Sequence, residues 1–226
     1  MPPRKIKSNL DKFESINSEI EDEILDEYSE LTGDEDLYLN QLPELLTILK
    51  IPTCFTNDIT NSIEYYYSFV QGRGEEVNPS NIKQSTSLQL IQAYTITNNI
   101  QDIIDIIDID KLLFNLNRLI KFRNNYQHIQ NSWKLFLQAS GSVNTNTGTV
   151  DTFKLTLPDL KQVKSSLDLD NDPETKKPIS ESFLIDMLGC CCFDSNGNLL
   201  NYNIKEGACV DIKDFAEILG NLGELD

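Results

Sequence analysis

The chain has 226 residues, ample for a sizeable core, with 36 acidic residues against 19 basic ones and a formal net charge of −17. That balance argues against a nucleic-acid or anionic-lipid surface as partner, since affinity for either comes chiefly from lysine and arginine, and it favours a basic or amphipathic protein segment. No apolar run approaches the ~20 residues that span a bilayer, the N-terminus MPPRKIKSNL lacks the apolar core of a secretory signal, and three adjacent cysteines, Cys190 to Cys192, suit neither neighbour disulfides nor a zinc cage, so a soluble protein of a reducing compartment is expected.

Residues 1–18 mix Arg4, Lys5, Lys7 and Lys12 with serine and asparagine and show weak periodicity, so they read as a disordered, solvated tail in preference to a basic localisation signal. From Ile20 to Pro52 the pattern changes. Ile20, Ile24, Tyr28 and Leu31 share one helical face, and Leu42, Leu45, Leu46 and Leu49 repeat that amphipathic spacing. The loop between them, Glu30 to Gln41, has the length and apolar middle of an EF-hand loop, with Leu37 where such loops place the residue that pairs with a partner loop. A working loop needs oxygen ligands at positions one, three, five and twelve and a glycine at six. Here the sixth position is Glu35 and the twelfth is Gln41, whose neutral amide cannot supply a bidentate carboxylate. The stretch is expected to keep the helix-loop-helix frame without the ion.

Pro52 stops the helix, and Asn61 to Gln71 forms another, with Ile63, Tyr66, Tyr67 and Val70 on one side. Gly72 to Ser87, polar and bearing Gly72, Gly74, Asn78 and Pro79, reads as a mobile insertion. The following block packs isoleucine too densely for periodicity to separate helix from strand, but Ile107, Ile109, Leu112, Leu116 and Leu119 repeat the pattern of Leu37, Leu39, Leu42, Leu46 and Leu49. Tyr126 to Gln138 is a clear helix with Ile129, Trp133, Phe136 and Leu137 in register. After the loop Gly141 to Thr152, the residues Leu155, Leu157, Leu160, Val163 and Leu167 give a third copy. Asp168 to Pro178 is an exposed loop whose acidic run lacks the glycine and distal glutamate of an ion site. Ser180 caps a helix holding Phe183, Leu184, Met187 and Leu188, and Asp194 to Asn198 is a turn because its glycine comes fourth and not sixth. Val210, Ile212, Phe215, Ile218, Leu219 and Leu222 close the chain with a fourth copy.

Four occurrences predict a mainly α fold of four degenerate EF-hand helix-loop-helix units in two lobes, calmodulin- or centrin-like, with short β pairing between loops. The lobes fall at residues 19–122 and 123–226, with insertions at 72–87 and 168–178. With twelfth positions at Gln41, Lys111, Asp159 and Asp214, the sixth positions are Glu35, Asp105, Phe153 and Ala208, none of them glycine. Lys111 would repel a cation, so no calcium site of sensor affinity and no cofactor is expected. Neither is catalysis: His128, the one histidine, has no nucleophile in a recognised context, and Cys190 to Cys192 between Leu188 and Phe193 read as inert buried thiols.

The segment EIEDEILDEYSELTGDEDLYLNQLPELLTILKIP and the closing DFAEILGNLGEL, with IIDIDKLLFNLNRLIKF, SWKLFLQASG and KLTLPDLKQVKSSL between them, resemble the fungal nucleotide-excision-repair accessory family of centrin-like fold, over most of residues 20–226. The resemblance implies a nuclear, non-catalytic, calcium-independent partner of the yeast counterpart of XPC, the damage-recognition factor, and a monomer within a heteromeric complex. It further implies that the second lobe holds a C-terminal amphipathic helix of that partner in an apolar groove. The candidate groove residues are Trp133, Phe136, Leu137, Leu160, Val163, Phe183, Met187, Leu188, Phe215, Ile218 and Leu222. The competing expectation, a centrin- or calmodulin-like calcium-sensing regulator of another protein target, needs an intact loop, and the sequence offers none.

Overall fold

The computed structural model describes residues 13–33, 35–72, 82–97, 103–141, 150–168, 180, 184, 202–203 and 207–225. These residues are mainly helical, and the chain divides into two compact units: Met1–Asn125 with Leu219–Asp226, and Tyr126–Ile218. Among the described residues no helix is long and apolar enough to cross a membrane.

In the first unit, Asn17 caps helix α1, Ser18–Thr32, by accepting the Glu19 N–H on its side-chain oxygen, and Glu19 and Glu21 sit favourably in the first turn. The helix stops at Gly33, whose φ of 62° is open to a residue without Cβ. Ile20 and Ile24 are buried, while Tyr28 and Leu31 of the expected face are half-buried. A 3-10 turn, Leu39–Gln41, feeds α2, Leu42–Ile48, in which Pro43 occupies the first turn, where its missing N–H costs nothing. Next come α3, Asn57–Tyr65, prolonged by a wider π coil over Tyr66–Gln71, and α4, Ile82–Gln92, which packs along α3. Helix α5, Ile109–Asn124, is capped by Asp108, whose Oδ1 accepts from the N–H groups of Asp110 and Lys111.

Arg123 ties three of these elements together. Its two terminal nitrogens lie 2.6 and 2.9 Å from the Glu23 carboxylate, and one also donates to Leu49 O at 2.7 Å. The hydrogen-bonded guanidinium holds the Glu23 carboxyl below its ordinary range, against the opposing effect of partial burial.

Two expectations fail in this unit. Residues 82–87 belong to helix α4 and not to an insertion loop. Between Ile82 and Leu88 that helix carries no apolar residue, so periodicity has nothing to register. The expected disordered tail is packed from Phe13 onward: Phe13 is 1% exposed and stacks on Phe122 at 6.0 Å, and Phe122 in turn meets Phe55 at 5.3 Å. Lys121 Nζ donates to Phe13 O at 2.8 Å and Ser15 O at 2.9 Å, and burial lowers the pKa of this lysine. The end of the last helix joins this unit because Gly220 lies against the Phe13 ring, where any Cβ would overlap it.

Three extended segments of the first unit meet through single antiparallel bridges, Tyr38 with Ile106 and Thr95 with Ile107. Ile107 N donates to Leu37 O, Leu39 N to Asp105 O, Ile96 N to Ile106 O and Asp108 N to Tyr94 O, at 2.8 to 3.1 Å. Leu37, Leu39, Thr95 and Ile107 face the core.

The second unit begins with α6, Tyr126–Ala139, which buries Ile129, Trp133 and Leu137. The 3-10 turn Val150–Thr152 docks on α6 through Trp133 Nε1 to Val150 O at 3.1 Å and Tyr126 Oη to Asp151 Oδ2 at 2.7 Å. Helix α7, Leu157–Ser166, follows. Tyr202–Asn203 and Gly207–Ala208, β1 and β2, pair antiparallel, and α8, Ile212–Leu222, contributes its residues through Ile218 to this unit. Leu155 and Val210 form one antiparallel bridge, each N–H reaching the other's carbonyl at 2.8 and 2.9 Å.

Candidate partner-binding site

The side chains at the expected twelfth positions come first, because an ion in such loops would have to recruit them. Gln41 Oε1 accepts the Tyr38 N–H at 2.9 Å, Asp159 Oδ2 accepts both the N–H and the hydroxyl of Thr156 at 2.8 and 2.6 Å, and Asp214 Oδ2 accepts the Asp211 N–H at 3.0 Å. In each case a side chain three residues into the turn reaches back to the residue that begins it, the geometry of a capping box. These three groups are therefore engaged with the backbone of their own turn.

The remaining one, Lys111, points its ammonium at the C-terminal end of α4. Nζ donates to the carbonyls of Gln92, Thr95 and Thr97 at 3.1, 2.7 and 3.2 Å. Gln92 closes α4, so its carbonyl is one that a helix end leaves without an intrahelical partner, while Thr95 and Thr97 lie in the segment just beyond. Asp105, at the sixth position of the same expected loop, accepts the Tyr67 hydroxyl at 3.1 Å. Burial and the Asp105 charge push the Tyr66 and Tyr67 phenols above their ordinary range.

The expected groove residues divide by burial. Trp133, Leu137, Val163 and Phe215 are buried in the second unit's core. Phe215 joins Trp133 and Phe136, with ring centroids 5.4 and 5.2 Å apart. Phe136, Leu160 and Ile218 are half-buried at the margin of that core. Leu222 is 63% exposed and belongs to the first unit, so it does not join the others. Phe183, Met187 and Leu188 lie outside the described residues, as do Cys190 to Cys192. Leu135, 65% exposed on α6, was not singled out by the sequence pattern because it falls off the register of Ile129, Trp133 and Leu137. The Lys111 contacts were equally hidden, since their acceptors are backbone atoms with no sequence signature.

No curated protein and no solved structure matches the chain. A family model, Rad33, matches residues 10–172, which takes in every described element from α1 to α7. The chain belongs to the Rad33 family, a family associated with nucleotide-excision repair of the XPC type.

Proposed function

We propose that the chain is a non-catalytic, nuclear accessory factor of nucleotide-excision repair that binds and stabilises an XPC-type damage-recognition protein through an amphipathic helix of that partner, without calcium. The carrying observation is the register of the loop bridges. Counting back from twelfth positions at Gln41, Lys111, Asp159 and Asp214, the eighth positions are Leu37, Ile107, Leu155 and Val210. Ile107 N donates to Leu37 O, and Leu155 and Val210 exchange both backbone hydrogen bonds. Pairing of eighth position with eighth position, found twice, supports four degenerate EF-hand units joined in pairs.

Calcium independence rests on the same four positions. Three carry side chains that close capping boxes, and the other carries an ammonium group held by three carbonyls. Binding an ion would cost those hydrogen bonds and gain little, for Gln41 is neutral and the two aspartates reach less far than the glutamate of a working loop. The groove of the second unit is best supported at Phe136, Leu160 and Ile218, whose half-buried side chains flank a core a target helix could extend.

Isothermal titration of the recombinant chain with a peptide of the partner's C-terminal helix, in excess chelator, tests the reading. Saturable binding without calcium is expected. Binding that appears only after calcium is restored would overturn it.

A further inference from the structure

The three extended segments of the first unit have a second face. Because side chains alternate along extended backbone and directly opposed residues share a face, Tyr38, Ile106 and Ile96 form a row across the ribbon, with Ile104 two residues along from Ile106. The inner set is buried, but this outer row is not: Tyr38 and Ile96 are each 43% exposed, Ile104 is 50% exposed and Ile106 is half-buried. Clustered apolar side chains on a solvent face differ from the single exposed leucines normal on any surface.

The charge around this row has one sign. The described residues 35–49, 93–97 and 103–110, which include the bridged segments, carry Glu35, Asp36, Glu44, Asp105, Asp108 and Asp110, and no lysine or arginine. Lys111, the next residue, has its ammonium bound to three carbonyls. Nucleic acid and anionic membrane are repelled by such a rim, and a second copy of the chain would set acid against acid.

We infer that the outer face of Tyr38, Ile96, Ile104 and Ile106 is a docking surface for a basic amphipathic protein segment, with branched aliphatic anchors over the isoleucines and lysine or arginine reaching the acidic rim. This surface is separate from the second-unit groove and does not depend on that reading.

The probe is a synthetic amphipathic helix of leucine and lysine, titrated into the full chain with labelled isoleucine methyl groups. Saturable shifts at Ile96, Ile104 and Ile106 are expected. A variant carrying Ile96→Glu and Ile104→Glu should lose about tenfold or more in affinity while keeping its melting temperature, since both side chains face solvent. Tyr38→Glu provides an independent variant of the same face, should the double variant fold poorly. A leucine and glutamate helix of the same pattern should bind at least about tenfold more weakly, and added salt should weaken the lysine probe. The inference is overturned by absence of binding, by shifts confined to Ile129, Ile212 and Ile218 of the second unit, by equal affinity in the variants, or by self-association that these variants abolish.

Discussion

Lys111 Nζ lies 2.7 Å from the Thr95 carbonyl oxygen, so an ammonium group supplied by the chain itself ties helix α5 to the segment that follows α4. With Gln92 and Thr97 as further acceptors, the group replaces water at carbonyls that would otherwise lack partners. Lys111→Met should cost about 1–3 kcal/mol, the penalty for leaving part-buried acceptors unsatisfied. Urea denaturation with and without added calcium is the measurement; the loss should be the same in both, because methionine removes the donor without creating an ion ligand.

The Glu23 carboxyl is held below its ordinary range by Arg123, so the sign of its pH dependence is fixed. A carboxyl with a depressed folded pKa contributes stability above the unfolded pKa, and that contribution is lost as pH falls through the folded value. Acidification from neutrality to below the depressed folded pKa should therefore remove it. Glu23→Gln should lower stability at neutral pH by about 1 kcal/mol, discounted for the partly exposed carboxylate, and should reduce the difference in melting temperature between neutral and acid buffer.

Gly220 and Phe13 should show a reversal of sign. Alanine normally improves a helix interior over glycine by about 1 kcal/mol. Here the added methyl meets the Phe13 ring, so Gly220→Ala should destabilise by about 1–3 kcal/mol. In a Phe13→Ala background, itself costing about 3–5 kcal/mol, the same glycine replacement should become neutral or stabilising. A double-mutant cycle by chemical denaturation reads both.

In the second unit, stability and binding should separate by position. Trp133→Ala removes a fully buried indole and its bond to Val150 O, and should cost about 3–5 kcal/mol of folding stability. Leu160→Ala and Ile218→Ala, at half-buried sites, should each cost about 1 kcal/mol or less, yet together weaken the partner-helix peptide about tenfold in titration.

The helices legible in the sequence were those with a continuous apolar stripe. Ile129, Trp133 and Leu137 defined α6 almost to the residue, and Leu42, Leu45 and Leu46 defined the buried side of α2. Helix α4 was not legible, because its first half is polar and it is held by packing along α3. Phe13 was not legible either: one aromatic in a polar stretch carries no period, and its partners Phe122 and Gly220 are remote in the chain. At the candidate site, the sequence showed a neutral amide at Gln41 and an ammonium group at Lys111 where an EF-hand loop would need a carboxylate. It could not show that these side chains had acquired backbone partners, since a carbonyl is the same at every residue. Nor could spacing divide Trp133 from Phe136, three residues apart on one helix, into core and margin.

The notch at Gly220 also sets an order of events during synthesis. The first unit takes its last piece, Leu219 to Asp226, from the far side of the second unit in the chain, and Phe13 has no Gly220 to rest against until those residues have been translated. The aromatic stack of Phe13, Phe122 and Phe55 must therefore wait, with the ring's Gly220 side uncovered, while the whole of Tyr126–Ile218 is made. The segment that carries Phe13 is thus among the last parts of the first unit to be locked, because the Gly220 side of its ring stays open until residues 219–226 have left the ribosome.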